Sequence, residues 1–382
     1  METTRQKKRG LAAIFFLCPV RHVLTLVSAL VIALHLLTRG DHGLNVKLSM
    51  QLVRPVHRKL SLLTAKFPFS AAELLIVLAA VCLVVYIILS ITHLITRKEK
   101  GRQVYIIFIT LACFGLAVYA GFCLLWGVYY YGDDFAAQSG LETGAVSVEE
   151  LQTVTAYFAD MLNDYAPRVP RDENGVCQSD RQAILARSPS LYRQAAEKFP
   201  CLQGPEIPAK GIYLSHLLSY TDFTGFFFPF TAEANVNTDC PAGFFASTVA
   251  HELAHQRGVA KEQEANFAAV LASLENGDSD YVYSACLLAY THLGNALYSV
   301  DPEGWREIYG SLCPEVLADF AANRAYWRQF DTPVQTVSNT VYEGFLQSYD
   351  QHLGLRSYGA CVDLLVNYYR DAAYAAMADN EA

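Results

Sequence analysis

The sequence predicts a mainly α-helical membrane protein: transmembrane helices at the N-terminal end, then a mostly helical domain with a small β element. Three observations carry this. Three apolar stretches of bilayer length fall within the first third of the chain. The charge is split, with 15 Lys+Arg against 4 Asp+Glu in residues 1–132 and 14 against 33 in residues 133–382. From residue 241 onward the apolar positions recur at helical spacing almost to the end. The expected domains are therefore a membrane part, 1–132, and a polar part, 133–382. At 53% hydrophobic and 17% charged residues the chain has too much apolar surface to be disordered. The acidic polar part would repel phosphate, which excludes nucleic acid as a partner.

The expected spans are about 22–38, 74–95 and 104–130. The last ends in Trp126, Tyr129, Tyr130 and Tyr131, an aromatic cluster suited to the headgroup level. A shorter apolar piece at 11–20 lacks a small-residue cleavage site and is followed by further spans, unlike a secretory signal. Arg5, Lys7, Lys8 and Arg9 before the first span, and Arg97, Lys98, Lys100 and Arg102 after the second, place both flanks in the cytoplasm and 133–382 outside. The loop between spans one and two breaks this pattern with Arg39, Lys47, Arg54, Arg58, Lys59 and Lys66. Its stretch 46–63, rich in Leu, Val and basic residues, with Pro55 interrupting any helix there, reads equally as a segment lying on anionic lipid or as a sign of the opposite topology.

Of ten cysteines, Cys18, Cys82, Cys113 and Cys123 belong to the membrane part and read as packing residues. Cys177, Cys201, Cys240, Cys286, Cys313 and Cys361 permit up to three disulfides, with Cys177–Cys201 the expected pair. None has CxxC spacing, which argues against a cysteine zinc site.

In the polar part, 146–164 reads as an amphipathic helix with Ser147 as cap and Glu150 three residues on. A loop region with one helix near 190–198 follows. Stretch 211–237 is aromatic and β-branched and reads as strands, one at an edge near Pro229. Pro241 suits a first helical turn capped by Asp239 or Thr238.

That helix carries His251, Glu252 and His255 as HExxH. Residues four apart lie on one face, so both imidazoles can reach one Zn²⁺ ion, and Glu252 stands beside them as the general base. A catalytic zinc needs a third protein ligand and an open position. Gly258 can end the helix in a left-handed turn, with a second helix expected over 260–271. Lys261 stands where HExxHxxGxxH proteases have a third His and cannot ligate while protonated. Glu262 is the expected third ligand, because Asn266 four residues on shares its face and can orient an imidazole. Glu264 is the alternative.

HExxH followed by Glu262-x-x-Ala265-Asn266 resembles the gluzincin metallopeptidases, especially the membrane CaaX-protease and HtpX-like group, whose second motif is ExxAD. The resemblance implies a zincin-like domain with His251, His255 and Glu262 as ligands and Glu252 as base. Two departures are Asn266 in place of Asp and only six residues between His255 and Glu262. The chain also resembles, over nearly its whole length, a family of bacterial membrane proteins defined as a domain of unknown function. The shared features are PFS at 68–70, PFTAEANVN at 229–237, HELAHQRG with EQEANF, and SYG-x-x-VDLL at 357–365. It implies a bacterial cell membrane location.

Zinc peptidases need a donor for the developing oxyanion. Tyr281, Tyr283, Tyr290 and His292 lie on the next expected helix, and His292 is the candidate hardest to explain as core. His216 reads as a structural, hydrogen-bonded residue. Stretch 224–237 reads either as an ordinary core strand or as an edge strand that an extended peptide can join. Arg356 and Tyr358 are candidates only if the late motif is functional. The expectation is thus a multi-pass membrane zinc metallopeptidase with one Zn²⁺, acting on a peptide or protein near the bilayer surface, its oligomeric state left open. The alternative is a membrane sensor, regulator or assembly protein that uses a zinc-binding peptidase-like domain without general proteolysis.

Overall fold

The computed structural model describes residues 15–141, 144, 146–349 and 359–381; Arg5, Lys7, Lys8 and Arg9, and also Arg356, Ser357 and Tyr358, lie outside the described residues. The fold is mainly helical, with three apolar helices near the N-terminus and one three-stranded sheet. The chain divides into two compact units, Met1–Val53 with Ala71–Gly132, and Arg54–Ser70 with Asp133–Ala382.

The first unit holds helices α1 (Pro19–Thr38), α2 (His42–Lys47), α4 (Ala71–Thr96) and α5 (Lys100–Leu125). α1, α4 and α5 are apolar enough and long enough to cross a membrane, α4 the most apolar of them. Their side chains face outward: Leu37 is 83% and Ile88 57% exposed. Water would not tolerate such a continuous apolar surface, whereas hydrocarbon would. α1 and α4 both pack on α5, and His22 Nε2 meets the Tyr105 hydroxyl at 2.6 Å. α5 ends at Leu125, short of the expected 130. Trp126 leaves the helical region at φ −136°, and Gly127–Tyr131 forms a 3-10 turn. In that turn Trp126 donates to the Tyr130 hydroxyl.

The second unit begins with α3 (Arg54–Thr64). Pro55 does not interrupt it. A π-helical turn, Leu48–Val53, runs into α3 without a break, and this wider turn accommodates the proline ring and its missing N–H. The sequence reading left these residues with the membrane part, but they are tied to the sheet of the second unit. Lys210 pairs with Glu233 and donates to the carbonyls of Thr64 (2.7 Å) and Phe69 (2.9 Å). Ser70 bonds Asn235, Thr64 bonds the Thr231 carbonyl, and Arg54 donates to the carbonyls of Cys201 and Gln203.

The rest of the unit is helical apart from strands β1 (Lys210–Ile212), β2 (Gly225–Phe228) and β3 (Glu233–Asn237). Their order is β1-β3-β2, with β1 parallel and β2 antiparallel to the central β3. β2 is thus an edge, and Pro229 stands just past its end. Short helices α6 (Phe135–Ser139), α8 (Arg181–Arg187), α9 (Arg193–Lys198) and α10 (Ser215–Ser219) flank the longer α7 (Val148–Tyr165). α7 opens with a capping box between Ser147 and Glu150. α11 (Ala242–Gln256), α12 (Glu262–Asn276) and α13 (Ser279–Val300) pack on one another, α7 packs on α13, and β2 and β3 lie on α11. Phe158, Phe245, Leu253, Phe267, Tyr281 and Tyr283 fill this core and are nearly inaccessible. Each such side chain contributes roughly 1.5–3 kcal/mol by leaving water. α14 (Pro302–Gly310), α15 (Pro314–Arg328), α16 (Pro333–Ser348) and α17 (Gly359–Glu381) complete the unit.

Two local expectations need correction. α11 is preceded by Pro241 itself, extended at φ −52°, ψ 136°, with no side-chain cap. Asp239 instead meets His216 and accepts from the Tyr326 hydroxyl. All ten cysteines are free, and Cys177 is buried against the Ser179 hydroxyl and not paired with Cys201.

Candidate metal centre

Every residue of α11 except Phe244 and His251 is buried. The helix runs through the core and opens to solvent at one imidazole. It stops at Gly258, whose φ of 93° is strained for any residue with a Cβ. This turn brings the Val259 carbonyl back to 2.6 Å from Nδ1 of His255. The chain then enters α12, whose first turn presents Glu262 and, one turn on, Asn266 to the same face.

The consequence is a converging set of three atoms. Nε2 of His251 and Nε2 of His255 are 3.0 Å apart, and Oε2 of Glu262 lies 3.1 Å and 3.5 Å from them. Tetrahedral ligands at about 2.0–2.1 Å from a zinc ion stand about 3.3 Å from one another, so the triangle has the right size. Its donors are right too. A carbonyl oxygen only accepts, so His255 must donate through Nδ1–H and turn a lone pair outward at Nε2. Nδ1 of His251 faces Oδ1 of Asn266 at 2.8 Å with the same result. With both Nε2 atoms deprotonated, two lone pairs and a carboxylate oxygen face a single point, an arrangement suited to a cation.

Without a metal, a proton shared by His255 and Glu262 takes the same place. Burial alone would lower the His255 pKa, but the Glu262 carboxylate overcomes it and raises it to about 9. Burial would likewise raise Glu262, but the His255 imidazolium and the hydrogen bonds of both histidines hold it well below the usual carboxylate range. His251, His255 and Glu262 are the group of ligating side chains that meets here among the described residues, with no fourth His, Cys, Asp or Glu joining it. The side chains of His251 and Glu262 remain 16% and 33% exposed, so one side is open. The residues fit a three-ligand zinc site with a free position.

Glu252 lies on the buried side, 3% exposed, and its Oε2 has no hydrogen-bond partner among the described residues. Burial pushes its pKa up to about 7, opposed by the charges of His251 and His255. A carboxylate poised near neutrality can both take and return a proton. The space it occupies exists because residue 225 is glycine. A Cβ there would come within 2.7 Å of Glu252 Oε1 and 2.8 Å of the Asn235 carbonyl.

Of the remaining candidates, His292 stays within electrostatic reach of His251, and the others make contacts of their own. Glu264 turns away from the triangle and accepts the backbone N–H groups of Phe135 and Ala136 at 2.9 and 3.1 Å, capping α6. Lys261 pairs with Asp134. His292 is buried on α13, and burial, with the charge of His251 adding, lowers its pKa to about 4. Tyr281 bonds the Ile184 carbonyl and Tyr283 bonds Asp319, both as packing residues, while Tyr290 packs on Phe320. His216 pairs with Asp239 on the surface. Sequence reasoning missed Tyr342 of α16, whose hydroxyl donates to Oε1 of Glu262 at 2.7 Å. Nothing in the local pattern of α16 singles it out.

A family model described as "Protein of unknown function (DUF3810)" matches residues 49–366. No curated protein and no solved structure matches the chain.

Proposed function

We propose, from the premise that the chain belongs to the DUF3810 family, that it is a membrane-bound zinc-dependent metallopeptidase of the bacterial cell membrane. Its second unit would stand outside the cytoplasm and hydrolyse peptide bonds near the bilayer surface. The observation that supports this most directly is the facing of two imidazole lone pairs and a carboxylate oxygen beside a buried, unpartnered glutamate.

His251, His255 and Glu262 would hold the ion, with Asn266 and the Val259 carbonyl orienting the imidazoles. Bound there, zinc would supply Lewis acidity toward the scissile carbonyl and the attacking water. Glu252 takes the proton of that water and hands it to the leaving amine, a role its buried setting prepares. Edge strand β2, which starts at Gly225 against Glu252, is the side of the sheet on which an extended peptide would add as a further strand. Exposure of His251 and Glu262 favours this over a purely structural zinc, which would be closed by a fourth protein ligand.

The test is cleavage of a peptide library by the purified full chain and by Glu252→Gln. Cleavage by the parent and its loss in the variant are expected. Equal cleavage by both would refute the role of Glu252, and none by either would refute the peptidase.

A further inference from the structure

Helix α3 and the turn after it carry their polarity reversed. The inward side is polar: His57, Ser61 and Thr64 are 4%, 1% and 7% exposed. The outward side is basic and apolar. Arg58, Lys59, Leu62, Leu63, Lys66 and Phe67 are all exposed, two residues in every four, and Phe69 continues the strip. A helix on the surface of a water-soluble unit would show the opposite pattern. Segment Arg54–Ser70 contains no Asp or Glu, and among the described residues Arg58, Lys59 and Lys66 have no ion-pair partner.

We propose that this face binds anionic lipid headgroups of the bilayer that α1, α4 and α5 cross. Charge selects the occupant. Residues 133–382 of the same unit carry 33 acidic against 14 basic residues, so an anionic surface repels the unit everywhere except along a strip like this one. Chain continuity places the strip beside that surface. Phe69 is two residues from Ala71, where the most apolar helix begins, a reach of about 7 Å at most. Side-chain chemistry completes the match: Leu62, Leu63 and Phe67 can enter the acyl boundary while the three cations meet phosphates. The inward ties of Lys210 to the Thr64 and Phe69 carbonyls, and of Ser70 to Asn235, fix the strip to the sheet that lies on α11. Docking the strip therefore sets the facing of the whole unit on the membrane.

The test uses the full chain carrying Leu62→Trp, reconstituted in phosphatidylcholine vesicles with and without phosphatidylglycerol, with acyl-brominated lipid as quencher. Fluorescence of the parent, with its three tryptophans, is subtracted. The expected result is quenching of the introduced indole in the anionic vesicles, weakened by salt. Reversal of Arg58, Lys59 and Lys66 to Glu should abolish it, since each cation near an anionic surface is worth about fivefold and three about a hundredfold. A thermal melt of the reversed variant checks that it still folds, as exposed side chains permit. Absence of quenching in both lipids would overturn the proposal, as would an acidic protein that co-purifies and shields the indole. Equal quenching in both lipids, unmoved by charge reversal, would overturn the headgroup recognition. None of these readouts depends on zinc or on peptide cleavage.

Discussion

Tyr342 donates its hydroxyl to Oε1 of Glu262 at 2.7 Å, which leaves Oε2 of the same carboxylate to face His251 and His255. The two residues are on α16 and α12, 80 positions apart. This bond fixes which oxygen of Glu262 is offered to a metal, a role that partners of ligating carboxylates commonly serve. Tyr342→Phe keeps the ring that packs on Phe223 and removes only the donor. Zinc affinity, measured by competition with a chromophoric chelator, is expected to fall about 10–100-fold with the thermal midpoint of the metal-free protein unchanged.

Asn266 tests the other side of the same arrangement. Its Oδ1 accepts from Nδ1 of His251 and so fixes the tautomer that exposes Nε2. Asn266→Ala should weaken zinc binding about 10–100-fold. Asn266→Asp retains an acceptor at that place and should bind zinc at least as tightly as the parent. Equal loss in both variants would mean that the acceptor is not what matters.

Gly225 sets the room available to Glu252. A methyl group at this position would meet Glu252 Oε1 and the Asn235 carbonyl at distances that real contacts do not reach. Gly225→Ala is expected to displace the glutamate and destabilise the unit by about 1–3 kcal/mol. Zinc content should remain at one ion while peptide cleavage falls, because the clash involves the base and not the ligands.

Lys210 and Glu233 form an ion pair with both side chains at least nine-tenths buried. Removing one partner strands a charge in the core. Lys210→Met should therefore lower stability by about 3–5 kcal/mol, and Lys210→Met with Glu233→Leu should recover much of it. The single variant also frees the Thr64 and Phe69 carbonyls, so protection of the α3 backbone against hydrogen exchange should fall with it. Thermal denaturation of the two variants in one detergent checks the first part.

The local parts of the site were legible in the sequence because short-range geometry decides them. Spacing of four puts His251 and His255 on one face, Gly258 marks the turn, and Glu262 with Asn266 shares the facing side of the next helix. The helical character, the three apolar helices, the small sheet and the Ser147–Glu150 capping box are of the same kind. What escaped depends on contacts far apart in sequence. Tyr342 reaches Glu262 across 80 residues, and Gly225 yields to a carboxylate 27 residues later. Glu264 is spent on the amides of Phe135 and Ala136, whose proximity no local pattern announces. Segment Arg54–Ser70 looked like membrane sequence because its outward face is apolar and basic, while its ties to the second unit run through the scattered Thr64, Phe69 and Ser70. Even cysteine count suggested pairing, yet Cys177 and Cys201 are held apart by separate local contacts, with Ser179 and within the Pro200–Leu202 turn.

In the proposed site His251, His255 and Glu262 hold one zinc ion beside a base, Glu252, that does not ligate it. Zinc stoichiometry of the detergent-purified full chain, of Glu252→Gln and of Glu262→Gln tests this most directly. One ion per chain in the parent and in Glu252→Gln, with the ion lost or much weakened in Glu262→Gln, is the predicted result. A parent without stoichiometric zinc, or a Glu262→Gln variant that holds it as tightly as the parent, would contradict the account.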